Sequence, residues 1–477
     1  MKHHNKKAIQ IIALVLAALL IGGTVIGALF AALAEETPPA RDQYAIAMEY
    51  LEDEQALHIE QRLVYVNDSP DVLDRVVFYA APNMFRQKSA LMYENDDLDA
   101  IFPSGCAPGG IDLKSVRVDG KAADYGFQGE NELFLRVSCD IAPGDTACFD
   151  FDFYLLLTAC NAFIGVGQTD VRLTAFYFIP GVYDPAVRDY SLKRPLPFTR
   201  WLYAAAGDYE VNLTLPEGYI AACSAAENVH GYALCFGKRY RTTERQTDSG
   251  VPVKVFSSRR DAPKAADMAV RAVEQCEKWF GAFPFGELII AQTDYPLGPL
   301  NAPGLIMTKD IADESALRFC IAQQYFGLAA YVDPVADAWL SDAVSAYVSY
   351  LMLEDAEGQD AFLKAVNRNW VSALQLTIPG GLTVISDASL FDSKQYDIVV
   401  KTRGAVVLHE LRQAMGLEGL LDGLRAFYAL RGGDRILTEG DFVSCMDAAT
   451  GRSWRDFLTD WVFNVGDYVN QPIDWLN

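Results

Sequence analysis

His409-Glu410-Leu411-Arg412-Gln413 reads H-E-x-x-Q. It is one letter from the pattern in which two His one helical turn apart bind zinc and the Glu between them activates a zinc-bound water. Its second ligand would be Gln413, whose amide is a poor ligand for zinc. His409 is therefore read as a packed or surface histidine. Histidine is scarce: of five in 477 residues, His3 and His4 lie in the N-terminal tail, leaving His58, His230 and His409. Cys320 is the candidate nucleophile, but a reactive thiol needs an activating His and an oxyanion hole. His58 and His230 fall in a strand-rich region and His409 on a different helix, so Cys320 is read as a small buried apolar residue. The nine cysteines form no C-x-x-C pair, which gives no support to a zinc ribbon or thioredoxin-like site. One or two disulfides stay open.

The elements that would hold these residues begin beyond an N-terminal apolar run. Lys2, Lys6 and Lys7 precede 26 mostly apolar residues, 8–33, and Glu35 and Glu36 follow. A spanning helix needs ~20 residues, and this charge order puts the N-terminus in the cytoplasm and the rest outside. The segment 1–34 is thus expected to be an uncleaved single-pass anchor at the cell membrane. Ala32-Leu33-Ala34 offers the competing reading of a cleaved signal peptide, whose apolar core is usually shorter, ~7–15 residues. Residues 35–42 read as a short stiff linker.

Alternation dominates 43–257: Phe149, Phe151 and Phe153 against Asp150 and Asp152, with Asp119-Gly120 as a hairpin turn. That pattern predicts a β-sandwich. From 258 to 477 helical spacing takes over, with expected helices at 313–326, 337–354, 359–374, 404–415 and 417–431, after a small sheet around a Pro/Gly loop at 296–304. The fold class is α+β and multidomain. Forty Lys and Arg against 63 Asp and Glu give a net charge of −23, which excludes the basic footprint of a nucleic-acid binder. It leaves cationic peptides as possible ligands.

Four segments in this order resemble the membrane alanyl aminopeptidase family of zinc metallopeptidases, a gluzincin family. The loop Gly298-Pro299-Leu300-Asn301-Ala302-Pro303-Gly304 stands where the family has a G-x-M-E-N-type loop. Phe319-Cys320-Ile321-Ala322-Gln323-Gln324-Tyr325-Phe326-Gly327 stands where it has H-E-x-x-H followed by Gln-Trp-Phe-Gly. Trp339-Leu340-Ser341-Asp342-Ala343 follows with 18 residues between Gln323 and Asp342, the family spacing, and Lys401-Thr402-Arg403-Gly404-Ala405 matches a later Y-x-K-G-A segment. The resemblance implies a sandwich N-domain and a thermolysin-like peptidase domain.

It does not carry the family's chemistry. Phe319 and Gln323 stand for the two His ligands, Cys320 for the Glu base, Asp342 for the third ligand and Lys401 for the oxyanion-stabilising Tyr. Asn301 replaces the Glu that recognises the substrate amine. A catalytic zinc needs three protein ligands, and without the metal a bound water is not acidified. Catalysis and metal are therefore not expected and no cofactor is assigned, although the family uses zinc. Pro299, Leu300, Asn301 and Ala302 are the candidate substrate-side residues. The expectation is a membrane-anchored pseudo-peptidase that binds a peptide or protein partner. The alternatives are a divergent active zinc aminopeptidase and a structural or assembly subunit with a filled cleft. A further expectation is that the Lys401 ammonium reaches the vacated zinc position and meets Asp342, with Gln323 and Asn301 as further acceptors.

Overall fold

The computed structural model describes residues 41–87, 93–193, 196, 203–375, 381–432 and 435–463, without side chains for 371–375 and 461–463. The expected anchor at 1–34 and most of the 35–42 linker lie outside the described residues. Among the described residues no helix is long and apolar enough to cross a membrane.

The first half is built from alternating strands. A six-stranded sheet runs Gly207–Thr214, Asp42–Leu51, Ala56–Val66, Thr146–Leu156, Gly110–Val118, Lys121–Ala122, and a four-stranded sheet runs Ile179–Pro180, Leu73–Tyr79, Phe134–Ile141, Tyr125–Gln128. Phe149, Phe151 and Phe153 all point inward and are buried. The Phe78 ring from the second sheet lies 5.2 Å from Phe149 and 5.1 Å from Phe151, so the two sheets pack face to face. The alternate residues face out and pair across strands, Asp150 with Arg62 at 2.6 Å and Asp152 with His58 at 2.9 Å. At the predicted hairpin, Asp119 (φ 50°) and Gly120 (φ 74°) take left-handed backbone and close the Val118–Lys121 pair. A third sheet, Ile220–Cys223, Ala233–Gly237, Val171–Thr174, Ile164–Val166, completes this half.

The second half starts earlier than the 257/258 boundary implies. Strands Arg241–Gln246 and Pro252–Ser257 do not join the sandwich sheets. They form a five-stranded sheet with Leu288–Gln292, Leu305–Thr308 and Leu300–Ala302, and Val253 pairs in parallel with Leu288. Alternation marks a strand but does not name its neighbour, and a parallel partner 35 residues away is set by tertiary packing.

Around this sheet lie helices Ala262–Phe280, Glu314–Gln323, Ala338–Glu357, Gln359–Gln375, Gly404–Met415 and Leu417–Ala429. Two more, Glu439–Thr450 and Arg455–Phe463, were not anticipated. The first of them opens on a capping box, in which Thr438 and Asp441 satisfy each other's backbone N–H. The helix expected over 313–326 begins on the Asp313 cap, whose carboxylate accepts from the Ala316 N–H at 3.0 Å. It ends at Gln323 and gives way to wide turns over Gln324–Ala329 that break at Phe326 and Gly327. Gly327 has φ 157°, and a β-carbon there would collide with the Ser341 side chain, so glycine is required where the helix meets its neighbour.

A buried ion cluster ties the two halves together beside the Pro/Gly loop. Arg172 is fully buried and holds Asp170 at 2.6 Å, the Ala162 carbonyl at 2.7 Å and the Cys160 carbonyl at 2.6 Å. Asp294, at the mouth of the loop, donates its N–H to Asp170 at 2.9 Å and accepts from the Thr169 N–H at 2.8 Å. Each of the three guanidinium nitrogens is directed at a carboxylate or carbonyl, the condition under which a buried charge is tolerated. No disulfide joins any of the nine cysteines.

Candidate functional site

The helix Glu314–Gln323, the start of helix Ala338–Glu357, the strand Leu300–Ala302 and the wide-turned segment Asp397–Arg403 meet at one place. They line a cavity of about 750 Å³. Phe319, Asp342, Tyr396 and Lys401 line it, together with Pro299 and Leu300. Asn301 and Ala302 do not line it; their side chains are buried beneath it. Cys320 is fully buried, as expected of a packing residue.

The spacing of the family-like positions holds in space. Gln323 and Asp342 meet: the Gln323 amide donates to Asp342 Oδ1 at 2.6 Å. The contact continues in both directions. Tyr396 donates its hydroxyl to Asp342 Oδ2 at 3.0 Å, and Ser341 Oγ donates to Oδ1 at 3.3 Å. Asn301 Nδ2 donates to Gln323 Oε1 at 3.2 Å and to the Cys320 carbonyl at 2.9 Å. Gln324 Nε2 donates to Asn301 Oδ1 at 2.6 Å and to the Ala302 carbonyl at 3.0 Å, and Gln324 Oε1 accepts from the Gly304 N–H at 2.8 Å. One hydrogen-bonded chain thus runs Tyr396, Asp342, Gln323, Asn301, Gln324, Gly304. All five side chains in it are buried. Buried polar groups are stable when so paired and costly when not.

Lys401 does not join this chain. Its ammonium lies 3.4 Å from Asp397 Oδ1 and 4.2 Å from the centroid of the Phe319 ring. The expected Lys401–Asp342 ion pair is absent, and Gln323 gives Asp342 a donor where it was expected to give Lys401 an acceptor. The physical reason is local. The wide turns over Asp397–Arg403 place Lys401 above Asp397, while Tyr396, one residue before that segment, reaches the carboxylate. Neither Tyr396 nor Gln324 was singled out in the sequence. Gln324 lay inside a quoted segment but at a position with no ligand role, and Tyr396 stands outside the matched segments.

The donor set does not fit zinc. Phe319 offers a ring with no lone pair, and Gln323 offers a weak amide oxygen that already accepts from Asn301. Asp342 alone supplies a carboxylate, short of the three ligands such sites use. Among the described residues no group of three or more His, Cys, Asp or Glu is placed to hold a metal ion. His409 is a packed residue: its Nδ1 lies 3.1 Å from the Tyr347 hydroxyl and its Nε2 3.1 Å from Gln413 Nε2. Burial, with Arg412 adding to it, lowers its pKa to about 4.

The arrangement is a cleft with a hydrogen-bonded floor. No family model matches the chain. Aminopeptidase N of Lactococcus lactis subsp. lactis is 24% identical over 262 residues, a match spanning 50% of this chain and 30% of that protein's length. Two crystal structures of a mutant M1 zinc metallopeptidase from Deinococcus radiodurans, one bound to a Tyr-Ser-Ala substrate, superpose with a TM-score of 0.61. They share 15% identity with this chain, and the alignment covers 88% of it and 93% of theirs. The chain accordingly has the fold of those M1 metallopeptidase structures, and part of it is similar in sequence to an aminopeptidase N.

Proposed function

We propose that the chain is a membrane-anchored, extracytoplasmic pseudo-peptidase that binds a peptide, or a peptide segment of a protein partner, without hydrolysing it. The observation that carries this reading is the closed hydrogen-bond chain from Tyr396 to Gly304. It includes Gln323 and Asp342, two of the three framework positions that bind zinc in the family, and satisfies Asp342 with uncharged donors. The open cavity above that chain, about 750 Å³, favours a binding role over a filled, purely structural one. No metal is assigned, and nucleic acid is not a partner for a chain of net charge −23.

The test pairs metal analysis of the purified protein with hydrolysis of aminoacyl-fluorophore substrates. Metal at far below one equivalent after dialysis and no chelator-sensitive hydrolysis are expected. Near-stoichiometric zinc with chelator-sensitive activity would overturn the reading in favour of a divergent aminopeptidase. For the anchor, membrane-bound protein that still carries Lys2 is expected. Soluble protein beginning at Glu35 would overturn that part.

A further inference from the structure

Lys401 occupies a receptor for an ammonium group. Its Nζ sits 4.2 Å over the Phe319 ring, and the Asp397 carboxylate is 3.4 Å away. An aromatic face with a carboxylate beside it attracts an ammonium through the ring quadrupole and the charge together. Phe319, Asp397 and Asp342 all line the cavity; the Phe319 ring is buried with Lys401 over it, so a ligand reaches that face only where Lys401 leaves it. Lys401 is held there loosely. Its side chain keeps 29% of its exposure and Asp397 keeps 68%. A four-carbon stem can therefore swing from the ring towards solvent and still stay beside Asp397.

We propose that the Phe319 face is a seat for the ammonium of a ligand lysine side chain, and that Lys401 is its resident occupant, displaced when such a peptide binds. A cation is favoured over an anion because Asp97, Asp313, Asp342 and Asp397 outnumber Arg368 and Lys401 on the cavity wall. Asp342 adds to this because its hydrogen-bond partners are all uncharged, leaving its charge to act on the cavity. On this assignment the cleft reads an internal lysine side chain, so a free peptide N-terminus is not required. The inference rests on the peptide-binding reading above and adds the class of ligand.

The experiment measures binding of two pentapeptides to the full chain in detergent. Both are acetylated and amidated; one carries a central lysine and the other norleucine, which keeps the stem and lacks the charge. The lysine peptide is expected to bind about fivefold more tightly, the factor that ~1 kcal/mol of cation–ring attraction gives. Lys401→Met should raise affinity for the lysine peptide by a similar factor and leave the norleucine peptide unchanged. Phe319→Leu should erase the preference. Equal affinity for both peptides, or a preference that Lys401→Met does not increase, overturns the ammonium seat while leaving peptide binding intact. Failure of both peptides to bind overturns the peptide-binding reading itself, and the seat with it. Lys401 is partly exposed, so its variant tests the proposal even if Phe319→Leu fails to fold.

Discussion

The bond between Gln323 and Asp342 can be isolated by a double-mutant cycle. Gln323 Nε2 lies 2.6 Å from Asp342 Oδ1, and both side chains are buried. Gln323→Leu removes the shortest donor to a buried carboxylate and leaves that carboxylate with Tyr396 and Ser341. Asp342→Leu does the converse and takes away the acceptor that the Gln323 amide and the Tyr396 hydroxyl share. A hydrogen bond to a charged group contributes ~1.5–3 kcal/mol, and an orphaned buried partner adds ~1–3 kcal/mol. Each single change should therefore cost roughly 2.5–6 kcal/mol. In the double variant no carboxylate is left without Gln323 and no amide without Asp342, so the cost should fall short of the sum by roughly 1.5–3 kcal/mol. Urea unfolding followed by tryptophan fluorescence reads all four corners, since Trp339 packs one turn before Asp342. Costs that add to within ~0.5 kcal/mol would refute the claim that these two residues form one unit.

Three further outcomes follow from other parts of the structure. Combining Phe319→His, Gln323→His and Asp342→Glu should create a zinc site, read as one equivalent of metal retained after dialysis; a variant that folds and retains no metal contradicts the assignment of these positions. Burial holds His230 and His409 near pKa 4 against an ordinary ~6.5. The unfolded chain binds those protons first, so the stability the two residues contribute is complete above about pH 6.5 and is lost as pH falls towards 4. His409→Gln should flatten the pH dependence of the unfolding midpoint across that window, and an unchanged slope would rule out the His409 share. Arg172→Met leaves Asp170 buried without its counter-charge and should cost ~3–5 kcal/mol; a loss under ~1 kcal/mol in urea unfolding would show that the cluster is not what holds the loop start at Asp294.

What the sequence disclosed depended on how local each feature is. The inward rings of Phe149, Phe151 and Phe153 and the turn at Asp119-Gly120 follow from period and turn chemistry, and they stand where alternation places them. The meeting of Gln323 with Asp342 was legible as a fixed interval within a family-like framework. The partners of Asp342 were not. Whether Tyr396 or Lys401 reaches it depends on the wide turns over Asp397–Arg403, and nothing in the spelling of that segment announces a wider turn. Strands 241–246 and 252–257 alternate like their predecessors, yet pair into the next sheet. The Asp170–Arg172–Asp294 cluster joins residues more than a hundred positions apart, a distance that no local pattern spans.

The hydrogen-bonded floor also has a polarity. Tyr396 and Gln323 give donors to Asp342, Asn301 gives one to Gln323, and Gln324 gives one to Asn301. Each amide is locked in one orientation because its neighbour accepts only at one end. A lone Gln323→His step would put a rigid ring where a flexible amide now meets both Asp342 and Asn301, and it would still confront the Phe319 ring where a second imidazole is wanted. Such a step loses stability at once and gains a site with two ligands, one fewer than zinc requires. The metal-binding and hydrogen-bonded forms of this cleft are therefore separated by a valley that single substitutions enter at a loss. The floor behaves as a ratchet: once all its members are in place, each of them holds the others against return.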